Sequence, residues 1–117
     1  MSENEDKYTK RLQELVQDTT MPGNDRRVAI LMESVKPQLA GNEILLALQN
    51  PTVNSSMIKT LIKYDAQVNY ENLIFAFNRK TAFFKLLLEA ANTQVWREMV
   101  AQNPDILIRF IGKSVRD

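Results

Sequence analysis

The amino-acid sequence predicts an all-α protein, a short α-solenoid of about four antiparallel helical hairpins. Three observations carry this expectation. Residues Met57–Asn69 (MIKTLIKYDAQVN) and Phe83–Gln94 (FFKLLLEAANTQ) superpose at an offset of 26 residues, with Met57 on Phe83, Lys59 on Lys85, Leu61 on Leu87 and Ala66 on Asn92. Each copy sets apolar residues on one helical stripe (Ile58, Leu61, Ile62; Phe84, Leu87, Leu88) and exits through a short polar stretch. A fixed period in the range of about 20 to 50 residues marks stacked units, none of which buries its apolar face alone. An inner segment precedes each copy, with Leu73 falling where Ile44 does and Ala76 where Ala47 does, 29 residues on. Lastly, 3 glycines and 4 prolines in 117 residues are too few for an all-β chain with many tight turns.

Residues 1–6 are acidic and polar and read as a disordered N-terminus, because nothing in them offsets the entropy lost on ordering. The remainder, 7–117, reads as a single helical-repeat domain. Tyr8, Leu12, Leu15 and Val16 share one stripe of a first amphipathic helix that ends before the turn cluster Thr19, Thr20, Pro22 and Gly23. Asn24 or Asp25 caps a second helix, RRVAILMESV, which Pro37 stops because the residue before a proline avoids the helical region. Gly41 and Asn42 provide an exit and a new cap for NEILLALQN, whose dense apolar residues place it inside the stack. Asn50-Pro51 ends that helix, and Asn54 or Ser55 caps the first duplicated helix. ENLIFAFNRK follows as the next inner helix, Thr81 caps the second copy, and Thr93 caps VWREMVAQ. Asn103 with Pro104 opens DILIRFIGKSV. The alternation in NLIFAFN, with a turn at Asn78 to Thr81, also fits a β-hairpin. The register it shares with NEILLAL, a strong helix former, favours helix.

Composition removes several function classes. The chain has no cysteine and no histidine, hence no thiol nucleophile, no thiolate metal site and neither of the imidazole's usual roles as ligand or acid/base. Carboxylates (Glu33, Glu43, Glu71, Glu89, Glu98, Asp105) are scattered and read as solvated faces. Ser56-Met57-Ile58-Lys59 fits Ser-x-x-Lys, but it sits where a helix needs a cap and lacks the partner motifs of acyl-transfer enzymes. Gly23, Gly41 and Gly112 are isolated and form no phosphate loop. With 15 basic and 14 acidic residues, the net charge of +1 creates no overall field toward nucleic acid or membrane. No apolar run approaches the roughly 18 residues of a membrane span, and the N-terminal stretch lacks a secretory core, so the expected location is cytoplasmic.

At these residues the chain resembles a divergent ankyrin-repeat protein. MIKTLIKYDAQVN is similar to the outer helix and exit loop of that unit, with Ala66, Val68 and Asn69 in matching places. LLLEAANTQ is similar to the next exit, with Asn92 near its end. The Thr-Pro and His positions are occupied by Asn42, Glu43 and Leu45 in one unit and Glu71, Asn72 and Ile74 in the other, and the exit glycine by Asp65 or Ala91. The substituted glycine implies a different helix ending, since a Cβ disfavours the left-handed region. A competing resemblance links LALQNPTVNSSMIKTLI and MVAQNPDILIRFI through Gln-Asn-Pro to HEAT-like and leucine-rich-variant units. Both families imply a curved helical stack that presents a surface, without catalysis.

The expected function is therefore that of a non-catalytic protein–protein interaction module, an adaptor or inhibitor, acting as a monomer or homodimer without metal or cofactor. A second reading gathers Arg26, Arg27, Arg79, Lys80, Lys85, Arg97, Arg109, Lys113 and Arg116 into a nucleic-acid patch with Tyr70 or Trp96 as a stacking ring. A third makes the chain a structural subunit of a larger assembly. The aromatic group Phe75, Phe77, Phe83, Phe84 and Trp96 reads as core, and as a partner patch where exposed. In stacked hairpins the turns line up along one rim, which here holds Gln49, Asn50, Asn78, Arg79, Lys80, Gln102 and Asn103. Trp96 and Arg97 complete the candidate partner-binding set. Equivalent stripe positions in the duplicated helix require Leu61 and Leu87 to be buried, so each Leu→Ala change is expected to cost about 2 to 5 kcal/mol in chemical denaturation. A loss below about 0.5 kcal/mol at either position overturns the register.

Overall fold

A computed structural model describes residues 3–20 and 24–109, with side chains from residue 7 onward. The turn residues Pro22 and Gly23, the side chains of the acidic N-terminus, and Gly112, Lys113 and Arg116 lie outside the described residues. All regular elements among the described residues are helical, without a strand: α1 (Glu3–Gln17), α2 (Asn24–Val35), α3 (Glu43–Gln49), α4 (Ser55–Lys63), α5 (Tyr70–Arg79), a 3₁₀ turn (Thr81–Phe83), α6 (Phe84–Ala90) and α7 (Thr93–Gln102). Residues 104–109 are helical as well. NLIFAFN lies within α5, so the hairpin alternative is excluded. The helical backbone begins at Glu3, ahead of Lys7, where the sequence placed the start of the domain.

The helices pack as two rows. Along one row, α1 contacts α3, α3 contacts α5 and α5 contacts α7; in the other, α2 contacts α4. Between the rows α1 pairs with α2, α3 with α4 and α5 with α6. The body measures 47 × 31 × 19 Å, and its 19 Å thickness is about two helix diameters. Its radius of gyration of 15.2 Å exceeds the roughly 13 Å of an equidimensional domain of this length, as a flat two-row arrangement requires.

The core between the rows is mostly aliphatic. Leu12 and Val16 of α1, Val28 and Met32 of α2, Ile44 and Leu48 of α3, Ile58 and Leu61 of α4, Leu73 and Ala76 of α5, Leu87 and Leu88 of α6, and Met99 of α7 are all buried. From α1 to α5 each pair is three or four residues apart, and the same spacing appears once buried Phe84 of α6 and Val95 of α7 are included, which puts each set on one face of its helix. Leu61 and Leu87 are both fully buried. The aromatic residues divide. Phe84 is buried and meets Phe77 edge to face at 5.4 Å between ring centroids, whereas Phe75, Phe77, Phe83 and Trp96 are half-buried at the core margin.

Asparagine caps the starts of α4, α5 and α7. The Asn54 side chain accepts from Met57 N, Asn92 from Val95 N, and Asn69 from Asn72 N while Asn72 returns the bond to Asn69 N, a reciprocal box. The cap of α7 is thus Asn92 rather than Thr93. Thr81 does not cap the second duplicated helix either: it opens the 3₁₀ turn, and α6 starts at Phe84 without a side-chain cap. Asn42 stands at the start of α3 but makes no capping bond. The Glu43 carboxylate does that work for the preceding loop, accepting from Ala40 N at 2.7 Å and Gly41 N at 3.1 Å while only 1% exposed. Glu43 is therefore an internal strut and not part of a solvated face. Gly41 carries φ of 101°, a region open to glycine.

Asn24 lies inside α2 and points backward. It is 7% exposed and donates to Leu15 O and Asp18 O while accepting from Arg27 Nη1. Asn50, 5% exposed, donates to Val16 O at 2.8 Å and Asp18 O at 3.1 Å, and its carbonyl accepts from Thr52 N and Thr52 Oγ1. Two buried amides thus gather the carbonyls that the end of α1 leaves without helical partners. Asp18 closes the turn by accepting from Thr20 N and Thr20 Oγ1. The Thr20 hydroxyl bond, followed by the Thr20 amide bond, holds its carboxyl below the usual aspartate range.

The two duplicated helices end differently. At α4, Ala66 N donates to Leu61 O at 2.9 Å and Asp65 N to Ile62 O at 3.0 Å, with Asp65 at φ of 71°. That is the ending glycine normally makes, with buried Ala66 against buried Leu61, and Asp65 adopts it here, contrary to the different helix ending expected from a residue with a Cβ. At α6, Ala91 is extended, and the expected departure is found.

These contacts generate two predictions. Asn50→Ala should lower unfolding free energy by about 2 to 4 kcal/mol, because it strands buried carbonyls as well as removing hydrogen bonds. Asn50→Asp should be at least as destabilising at neutral pH, since it aims a carboxylate at two carbonyl oxygens, and should recover in part at low pH, where the acid regains a donor. Asp65→Gly should raise stability by about 0.5 to 1 kcal/mol, as relief of the left-handed strain exceeds the added entropy of the unfolded chain. A loss of stability in denaturant titration would show that the Asp65 conformation is unstrained.

Candidate functional site

A surface groove of about 470 Å³ lies between α3 and α5, lined by Leu45, Gln49, Tyr70, Glu71, Ile74, Phe75, Asn78 and Arg79. The lining residues of α5 fall in adjacent pairs four residues apart, which makes them one stripe of that helix beside the buried stripe of Leu73 and Ala76. From α3, Leu45 and Gln49 are likewise one turn apart. The two helices are in contact, and the half-buried Leu45, Ile74 and Phe75 supply the apolar lining of the groove between them.

The polar groups are distributed along the groove. Glu71 stands in the first turn of α5 and Arg79 in the last, each favourable to that helix's dipole. Both are exposed, and neither has an oppositely charged partner within 4.0 Å among the described residues. The Arg79 guanidinium lies 5.7 Å from the centroid of the Phe75 ring, a cation over an aromatic face. Tyr70 at the opposite end is fixed from behind, because Asn103 Nδ2 donates to its hydroxyl.

Of the residues singled out from the sequence, Gln49, Asn78 and Arg79 come together at this groove. Lys80 follows as the half-buried C-cap of α5. Asn50 departs from the expected exposed rim: it is buried, and its amide is engaged inside the fold at both ends. Asn103 is half-buried and serves Tyr70. Trp96 packs half-buried against the core on α7, while Arg97 and Gln102 of that helix are exposed, and none of the three lines the groove. Tyr70 is the stacking ring of the nucleic-acid reading and Phe75 belongs to the aromatic group read as core or, where exposed, as a partner patch, whereas Leu45, Glu71 and Ile74 carry no binding role in the sequence reading. Their signal was present as a second stripe on α5, next to the core stripe, and was masked by assigning Phe75 to the core.

Ser56 and Lys59 are exposed on α4, whose cap is Asn54. No group of three or more histidine, cysteine, aspartate or glutamate residues suited to a metal ion occurs among the described residues. No helix among them is long and apolar enough to cross a membrane. No protein-family model, curated protein or solved structure matches this chain.

Proposed function

We propose that this protein is a non-catalytic protein-interaction module, an adaptor or inhibitor, built as a short solenoid of helical hairpins. The pairing of α1 with α2, α3 with α4 and α5 with α6, with contacts running from α1 through α3 and α5 to α7 in one row and from α2 to α4 in the other, supports the solenoid reading. The ankyrin-like or HEAT-like resemblance fits such a stack.

The single observation that carries the functional reading is the α3–α5 groove, with its apolar floor and exposed charged side chains that have no ion-pair partner among the described residues. Interfaces concentrate their energy in apolar and aromatic anchors surrounded by polar groups that set register and orientation. Leu45, Ile74 and Phe75 supply the first kind, and Gln49, Glu71, Asn78 and Arg79 the second. The protein acts on its partner by occupying surface, as monomer or homodimer in the cytoplasm.

The test is the double substitution Arg79→Glu with Lys80→Glu. It should weaken partner binding by about 1 to 3 kcal/mol while leaving the melting temperature nearly unchanged, since Arg79 is exposed and the half-buried Lys80 has no salt-bridge partner among the described residues. Calorimetry against the partner purified from source lysate measures the first quantity and thermal circular dichroism the second. Unchanged binding would move the site away from the groove, toward Trp96 and Arg97. Recovery of nucleic acid alone, released by moderate salt, would replace the protein partner with a polyanion.

A further inference from the structure

The groove has a direction, and we infer from it that the partner element is an amphipathic helix lying antiparallel to α5, acidic in its first turn and basic in its last. This inference rests on the interaction reading above and adds the chemistry and orientation of the occupant. Glu71 and Arg79 both line the groove and belong to opposite ends of α5. Eight positions along a helix, at 1.5 Å each, separate them by about 12 Å, which is roughly two turns of any helix laid alongside. Their charges already suit the dipole of α5, but neither is neutralised by a neighbouring side chain among the described residues. An occupant with complementary charge must therefore be negative near Arg79 and Lys80 and positive near Glu71.

An ordinary helix carries that polarity without special design, because acidic side chains favour its N-terminal turn and basic ones its C-terminal turn. Set with its N-terminus beside Arg79, such a helix runs antiparallel to α5, so the two dipoles attract as well as the side chains. The floor selects the same element. Leu45, Ile74 and Phe75 lie between two helices, and a third helix can lay apolar residues at i, i+4 and i+7 into the depression. The amides of Gln49 and Asn78 face the polar flank of that helix. The Arg79 guanidinium is preorganised over Phe75, which lowers the ordering cost of a carboxylate contact there.

The test uses the full chain and two labelled synthetic peptides of about four helical turns. Both have acetylated and amidated ends and leucines at i, i+4 and i+7. The forward peptide has glutamates in its first turn and lysines in its last, and the reversed peptide has the charges exchanged. Fluorescence anisotropy should give binding of the forward peptide about tenfold tighter than the reversed one. The charge-exchanged protein, Glu71→Lys with Arg79→Glu, should invert that preference. Circular dichroism with a thermal melt verifies that this variant is folded, and both substitutions are at exposed positions. In the unaltered background, Ile74→Ala should weaken both peptides by a similar factor, which reads the floor separately from the charges. Equal affinity for the two peptides, binding of neither, or displacement of the forward peptide by a single-stranded oligonucleotide would each overturn the inference. If Arg79→Glu with Lys80→Glu weakens the natural partner while the peptide preference fails to invert, the interaction module stands and the antiparallel helix falls.

Discussion

The C-terminal end of α1 is the constraint on which the neighbouring elements depend. A helix end leaves carbonyls without intrahelical donors, and burying such an end is unfavourable unless donors are delivered to it. Here they come from two other elements: Asn24, in the first turn of α2, reaches Leu15 O and Asp18 O, and Asn50, beyond α3, reaches Val16 O and Asp18 O. Both amides converge on the Asp18 carbonyl. The positions of α2 and of the α3 terminus relative to α1 are therefore set by hydrogen-bond geometry as well as by non-directional apolar packing. Two further bonds, Thr9 Oγ1 to Gln38 O and Gln13 Nε2 to Asn42 Oδ1, attach the α2–α3 connection to the same helix.

The groove follows from this scaffold at one remove. Once α3 is fixed against α1, its remaining lateral face is offered to α5, and the reciprocal Asn69–Asn72 box sets where α5 begins. The start of α5 decides which side chains enter its second stripe. Asn72 is buried as part of that box, and with the start so fixed the Tyr70 to Arg79 stripe faces α3 while Leu73 and Ala76 face the core. Local capping chemistry thus places functional candidates that have no role in capping themselves.

The all-helical class was legible because apolar spacing and the scarcity of turn residues both act locally, as were the burial of Leu61 and Leu87 and the ends of α2 and α3 at prolines. Three features were not. The role of Asn50 depends on α1 carbonyls more than 30 positions earlier in the chain, and Asn-Pro reads locally as a turn, so the residue was placed on an exposed rim. Asp65 was expected to change the helix ending, but the paired bonds from Asp65 and Ala66 and the Ala66–Leu61 contact hold it left-handed. Glu43 belonged by composition to a solvated face, and its burial depends on two loop amides that only the folded connection presents. The groove was half legible: its polar rim followed from turn positions, whereas its floor required knowing which side of α5 meets α3.

The aliphatic character of the narrow core leaves the chain's single tryptophan at the margin, on α7. Indole emission therefore reports the surroundings of one helix at the C-terminal side of the described body, where α7 packs on α5. Far-ultraviolet circular dichroism, in contrast, sums over every helix from α1 onward. Comparing the two signals through a denaturant titration asks whether the tether between Asn50 and α1 and the contacts around α7 give way at one midpoint or at two. Coincident curves mean that the flat body melts as one cooperative unit, and separated curves assign each end its own stability.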